Sequence, residues 1–407
     1  MRHDRRTFLA AAAAIPLAAP ASVEPDWSAI RKEFPWAGKQ LFLNPAGWHP
    51  MRRKAIEAMQ KYLEFRLNGP IDGRNENALD YQGTAKRLFG QLINATPDEI
   101  SFAQSTQFGE NIVVSALSIP GGKWNVVTDE LHYEGSLHLY QSLQKQGLDL
   151  RIVKMKDLRI DPNDVDKAVN RNTRLVATSL VSCANGARAD AKAFADIAHA
   201  NGAYLYTDVI QAAGAVPIDV KALGIDFCAC SGYKFLMGDR GLGFLYVRES
   251  LLGTEAKRFQ FGDRQFANFQ YHIFPHDPPG PRPASWDMRK GAAAYFEVGN
   301  CATAVAAGHV ENLRFILDLG ISRIQAHAKP MVDRLRKEVP KLGYPLLTPA
   351  DMPTPTTSFV VADQAKLTAK MKKANIDVKQ QWNQMRVSVS VYHNMADIDR
   401  FLDVLSS

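Results

Sequence analysis

Ala203-Tyr204-Leu205-Tyr206-Thr207-Asp208-Val209-Ile210-Gln211 and Phe227-Cys228-Ala229-Cys230-Ser231-Gly232-Tyr233-Lys234, the latter running on to Gly238-Asp239-Arg240-Gly241-Leu242-Gly243, decide how this chain is read. Each stretch begins as a short apolar run with the pattern of a buried strand, and a chemistry-bearing residue follows where the strand stops. Parallel sheets bind ligands in the crevice beyond the carboxyl ends of their strands, so an acid and a lysine leaving neighbouring strands can converge on one ligand. Pyridoxal phosphate asks for that pair: a lysine to form a Schiff base with its aldehyde, and an aspartate to keep its pyridine nitrogen protonated.

Working outward, the same alternation repeats. Apolar runs at 124–128, 150–154, 174–180, 203–207, 227–230 and 242–247 alternate with helical patterns such as 191–200, which stops at Asn201-Gly202. Strand and helix in series predict an α/β chain with a mostly parallel central sheet covered on both faces. Five prolines between 275 and 283 interrupt the pattern as a rigid loop. Helical patterns over 304–319 and around 328–339, then a strand–helix ending, predict a smaller α+β domain.

Composition sets the class. With 407 residues, 46% apolar and 22% charged, the chain has enough material for a large core and is neither disordered nor repetitive. The basic clusters Arg52-Arg53-Lys54 and Lys370 to Lys373 read as solvated helix faces, so no nucleic-acid partner is expected; an anionic substrate is compatible. Cys183, Cys228, Cys230 and Cys301 lack zinc-site spacing, and no metal is expected. Cys228 and Cys230 alternate along one strand and read as small buried apolar groups on one face.

The first residues carry an address. Asp4-Arg5-Arg6-Thr7-Phe8-Leu9 is a twin-arginine pattern, followed by an apolar run to Ala19 and a small-residue cleavage site at Ala19-Pro20-Ala21. The run is too short to anchor the protein in a bilayer. A periplasmic or secreted protein handed to the twin-arginine export machinery is therefore expected, with no stable membrane anchor. Losing three arginines and one aspartate with this leader takes the formal charge from +7 to +5.

The ordered run from Asn185-Gly186 through Thr207-Asp208-Val209-Ile210-Gln211 and Ser231-Gly232-Tyr233-Lys234 to Gly241-Leu242-Gly243 resembles the class V aminotransferases. That pyridoxal phosphate family includes cysteine desulfurases and isopenicillin N epimerase. The resemblance implies fold type I and a homodimer: a large cofactor domain over 51–303, and a small domain over 304–407 joined by the N-terminal segment 22–50. Residue by residue, it makes Lys234 the Schiff-base lysine and then the base that moves the Cα proton. Asp208 would pair with the pyridinium nitrogen, and Gln211 would reach the ring hydroxyl. Thr106, Gln107 and Ser231 would hold the phosphate, the first two by backbone amides at a helix start. Tyr233 would replace a histidine contact of relatives. His132 or Tyr133 would stack on the cofactor ring. Asn300, in Phe296-Glu297-Val298-Gly299-Asn300, would reach the partner subunit's phosphate. Arg386 would grip the substrate carboxylate in a two-pronged contact, with Asn44 and Asn185 also at the substrate.

The small-molecule amino substrate is not named by these residues. Amino transfer is the first expectation because it needs no second specialised base, with epimerisation or β-elimination as alternatives. The resemblance implies that sulfur transfer would use a cysteine shortly before Arg386, and 373–385 contains none. A non-catalytic exported ligand binder is the alternative of another class, but it would be expected to lack Lys234 or Arg386.

Overall fold

The computed structural model describes residues 24–70, 80–270 and 285–407. The leader and the proline-rich stretch 275–283 lie outside them.

Seven strands form the central sheet: β1 (Ile100–Ala103), β2 (Asn125–Asp129), β3 (Asp149–Val153), β4 (Thr173–Ser179), β5 (Tyr204–Asp208), β6 (Phe227–Ser231) and β7 (Gly243–Val247). Their spatial order is β1-β7-β6-β5-β4-β2-β3. β7 runs antiparallel to both neighbours, and every other pair is parallel. Six of these strands coincide with the apolar runs of the sequence. β1 does not, because four residues broken by Ser101 show no period.

Alternate residues feed two apolar layers. Leu205, Cys228, Cys230 and Phe244 belong to one, and Tyr206, Phe227, Ala229 and Leu245 to the other. The two cysteines share a layer, as their spacing predicts. The leucines and phenylalanines among them each contribute about 1.5–3 kcal/mol on burial, and strands buried on both faces fix the sheet as a rigid platform.

Helix α1 (Thr106–Ala116) starts two residues beyond Gln104 and is capped by the Ser105 hydroxyl, which accepts from the Phe108 N–H at 3.1 Å. It lies directly on β6: a Cβ at Gly109 would stand 2.7 Å from that of Ala229. The helical pattern is visible in sequence only from Ile112 on, because Gln107, Gly109 and Glu110 hide the first turns. Helix α2 (Glu134–Gln144) follows β2, and α3 (Thr303–Leu319) turns into α4 (Ile321–Glu338) at Gly320, whose φ is +77°.

The C-terminal region builds an antiparallel sheet in which Gln384–Ser388 lies between Thr356–Val360 and Lys379–Gln381. Leu335, Phe359, Met385 and Phe401 fill its core. The N-terminal segment joins it, since Leu41–Phe42 pairs in parallel with Ile376–Asp377. This sheet is tied to the carboxyl end of β4: the Ser358 hydroxyl donates to the Ala184 carbonyl at 2.8 Å, and the Gln384 amide donates to the same oxygen.

Candidate active site

Asp208 is the last residue of β5 and stands in register between Ser179 of β4 and Ala229 of β6. Its backbone is pinned on both sides. The Leu180 N–H donates to its carbonyl at 2.9 Å, and the next amide, Val209, donates to Ala229 at 3.0 Å. One carboxylate oxygen accepts from the Ile210 N–H at 2.8 Å; the other has no hydrogen-bond partner among the described residues. Burial raises the Asp208 pKa to about 6, against the Ile210 hydrogen bond and the nearby charges of Lys234 and His132.

Lys234 follows the end of β6 by three residues and sits within a closed loop. Gly238 N–H donates to the Gly232 carbonyl at 2.8 Å, and Met237 N–H to the Lys234 carbonyl at 2.7 Å. The His309 ring of α3 is wedged against both loop ends: a Cβ on Gly232 or Gly238 would come within 2.0 or 1.8 Å of it. From the same helix the Asn312 amide donates to the Met237 carbonyl at 2.8 Å. Met237 is held at a φ of +61°. Burial keeps His309 neutral, with a pKa lowered to about 4, so the wedge brings no charge beneath the lysine. Burial also lowers the Lys234 pKa, while Cys183 and Asp208 push it back. An amine so depressed is free base, and hence nucleophilic, over more of the pH range.

The first turn of α1 and the end of β6 lock together. Ser231 N–H donates to Thr106 Oγ1 at 2.9 Å, and Thr106 N–H donates to Ser231 Oγ at 2.7 Å. The Gln107 amide lies at the same helix start, where unpaired N–H groups and the helix dipole favour an anion. Gln211 donates through Nε2 to the Ala46 carbonyl at 3.0 Å, and its buried Oε1 has no partner. That orphaned oxygen and the free oxygen of Asp208 are the polar groups a pyridoxal ring would satisfy. The residues present fit the cofactor.

His132 is fully enclosed and held by both nitrogens, Nδ1 by Ser179 Oγ at 2.9 Å and Nε2 by Glu110 Oε1 at 3.1 Å. Glu110 also accepts from Tyr140 at 2.8 Å and from Ser136. Burial opposes protonation of His132, but Glu110, with help from Asp129 and Asp208, outweighs it and leaves the pKa above the ordinary value. Tyr133, next along, is partly exposed. The half-buried Tyr233 lies with its ring centroid 5.9 Å from Lys234 Nζ and 5.5 Å from the Arg240 guanidinium carbon.

A cavity of about 680 Å³ opens above this floor, walled by His132, Tyr133, Lys234, Arg386, Asn44 and Cys183, with Trp48, Tyr233, Trp382 and Gln384 further round. Arg386 is 8% exposed, yet it has no carboxylate partner among the described residues. Its Nη1 donates to the Cys183 carbonyl at 2.7 Å, Nη2 reaches Asn44 Oδ1 at 3.5 Å, and Nε is buried without a partner. Burial lowers its pKa, with Cys183 and Glu134 opposing. A buried guanidinium without a counter-ion is a latent carboxylate site.

One residue falls elsewhere than expected. The Asn185 amide donates to the Leu158 carbonyl at 2.8 Å and its oxygen accepts from Ala187 N–H at 3.0 Å, so it shapes the turn after β4 and is absent from the cavity wall. Cys183, two residues earlier, takes the wall position; burial raises its pKa and keeps the thiol protonated. Sequence reading passed over it because an isolated cysteine has no spacing to interpret. Asn300 is exposed in a separate cavity with Phe108 and Val298 and does not reach Lys234 within one chain. Its neighbour Glu297 is buried and structural, bonded to Lys86 and to the Phe102 N–H at 3.0 Å each.

Residues 42–401 match the family model described as "Aminotransferase class-V". A "Probable cysteine desulfurase" of Methanothermobacter thermautotrophicus is 29% identical, over 76% of this chain and 75% of its own length. The apo structure of a cysteine desulfurase from Thermococcus onnurineus superposes with a TM-score of 0.81, at 22% identity over 95% of this chain and 98% of its own. A variant of C-DES with glycine covalently linked to its PLP cofactor gives 0.78, at 18% identity over 93% and 99%.

Proposed function

This chain belongs to the aminotransferase class-V family of pyridoxal-phosphate enzymes, and from that premise we propose that it transforms an α-amino acid, by amino transfer in the first instance. The observation that carries the proposal is that buried Lys234 and the Arg386 guanidinium, which has no carboxylate partner among the described residues, line one cavity, with buried Asp208 near enough to Lys234 for their charges to interact. When bound, pyridoxal phosphate supplies an electron sink that stabilises negative charge developing at the substrate Cα. Every other part of the catalysis falls to the chain.

Lys234 would hold the cofactor covalently, and its Nζ, when free, would take and return the Cα proton. Asp208, when ionised, would pair with a ring nitrogen and keep it protonated. The Ser231 hydroxyl and the Gln107 amide would hold the phosphate, the Thr106 amide joining them by giving up its bond to Ser231 Oγ, and Tyr233 would add a hydroxyl. His132, rather than Tyr133, would cover the ring, its imidazole plane fixed by two tethered nitrogens. Arg386, steadied by Asn44, orients the substrate by its carboxylate and so sets which Cα bond lies across the ring. Asn300 would meet a phosphate only across a homodimer, which belongs to the same proposal, as does export through the twin-arginine leader. Among the described residues, no helix is long and apolar enough to cross a membrane.

Epimerisation is the second reading, favoured by Cys183: its protonated thiol is a proton donor on the wall between Lys234 and Arg386. Sulfur transfer, which the names of the relatives raise, lacks a thiol on the hairpin 379–388. A labelled amino-acid panel given to the cofactor-loaded protein separates these outcomes. Keto acid together with the pyridoxamine form of the cofactor marks amino transfer, solvent deuterium at Cα without net product marks epimerisation, ammonia with pyruvate marks elimination, and alanine with sulfide marks desulfuration. Any of the last three without the pyridoxamine form overturns the first reading. Undiminished export after Arg5→Lys and Arg6→Lys would overturn the localisation.

A further inference from the structure

The hairpin that carries Arg386 turns at Trp382, and this turn is strained and wet. Trp382 has a φ of +57°, a region that bulky residues avoid, and its side chain is 84% exposed. Glycine or asparagine would form the turn at less cost. Packing within the chain does not offset this, and backbone strain that persists without a packing reason is a signature of a functional position.

The position is the rim of the Lys234 cavity. Trp48, 42% exposed, and Tyr133, 36% exposed, border the same opening. Gln381 and Gln384 pair across the turn, and Trp382 stands four positions before Arg386, a span of up to about 13 Å. A carboxylate held by Arg386 and an amine at Lys234 place the substrate Cα at the bottom of the cavity. A side chain directed outward from this pair meets a wall whose exposed aromatic faces are those of Trp48, Tyr133 and Trp382. A methyl group would not reach them; an aromatic or long apolar side chain would fill the gap and cover faces now in water.

We infer that Trp382, with Trp48 and Tyr133, forms an aromatic clamp that selects amino acids with large apolar or aromatic side chains. This rests on the reading of Arg386 and Lys234 given above and deepens it with a substrate class. Trp382 is a specificity residue and takes no part in bond breaking.

The test uses cofactor-loaded protein and two carboxylates without an amine, 3-phenylpropionate and propionate, with binding measured by calorimetry. Wild type is expected to prefer phenylpropionate by at least about tenfold. Trp382→Ala and Trp382→Gly are expected to remove most of that preference and leave propionate binding unchanged, whereas Arg386→Ala weakens both. Trp382→Gly also relieves the turn and is expected to melt higher than Trp382→Ala, which separates lost selectivity from damage to the fold. In turnover, the ratio of kcat/KM for phenylalanine over alanine should fall about tenfold in both tryptophan variants, mainly through KM.

An unchanged preference in both variants, or an equal loss for both carboxylates, overturns the clamp. So does a drop in sedimentation mass on Trp382→Ala, which would assign the ring to a contact with a second copy. If no amino acid alters the cofactor absorption while phenylpropionate still binds through Trp382, the reaction reading fails and the clamp stands.

Discussion

The floor and the rim of the cavity are built in opposite ways. On the floor, Asp208, Lys234, Ser231, Thr106 and Gln211 are buried, and each is fixed through strand ends or a closed loop. On the rim, Trp48, Tyr133 and Trp382 are exposed and stand outside strands and helices: Trp48 on an irregular segment, Tyr133 at the N-cap of α2 and Trp382 on a turn. The floor costs desolvation of charged groups, which lifts Asp208 to about 6 and depresses Lys234. The rim costs exposed aromatic surface and one strained residue. A cofactor offsets the first cost and a substrate side chain the second, so chemistry and specificity reside on separate structural supports.

Substitutions sharpen that division, and the largest effect belongs to the floor. Lys234→Ala should fold with an unchanged circular dichroism spectrum and lose turnover by at least about 10³-fold, since covalent attachment and proton transfer go together. A residual rate near wild type would break the assignment.

Asp208→Asn comes next, with an expected loss of about 10²–10³-fold in kcat, because the ring nitrogen loses its charge partner. The same change has a stability signature. The folded pKa of Asp208 is raised, so its contribution is fully present below its ordinary value near 3.8 and is lost as pH rises through about 6. Cofactor-free Asp208→Asn is therefore expected to be more stable than wild type above pH 6, by on the order of 3 kcal/mol, and the difference should vanish below pH 4. Denaturant titrations at three pH values check this, and an equal difference at all pH values would contradict it.

Arg386→Ala belongs between floor and rim. It removes a charge-assisted two-pronged contact of about 1.5–3 kcal/mol, hence roughly a ten- to hundredfold loss in kcat/KM with the cofactor spectrum intact. Ser231→Ala should be the smallest, a loss of cofactor affinity of about fivefold in equilibrium dialysis, because the Thr106 and Gln107 amides remain.

The same contrast decides what the sequence made legible. Asp208 and Lys234 were readable because strand ends leave a local trace, an apolar run followed by a polar residue. The glycines around Lys234 were visible, but not their partner, since His309 lies more than seventy residues away in sequence and only packing brings it to Gly232 and Gly238. Glu110 was likewise hidden: its value comes from meeting His132 and Tyr140 across α1 and α2. Asn185 was expected at the substrate, but a turn consumes both ends of its amide and gives the wall to Cys183. Trp382 carried no signal at all, because neither exposure nor a positive φ is written in a tryptophan between polar residues.

Convergence of the two strand ends on one cofactor is tested most directly at Lys234. Protein loaded with pyridoxal phosphate is reduced with borohydride, digested, and mapped by mass spectrometry. The expected result is one phosphopyridoxyl group on the peptide containing Lys234, absent from Lys234→Ala. A label on another lysine, or an unlabelled Lys234 in protein that retains the cofactor's visible absorption, would contradict it.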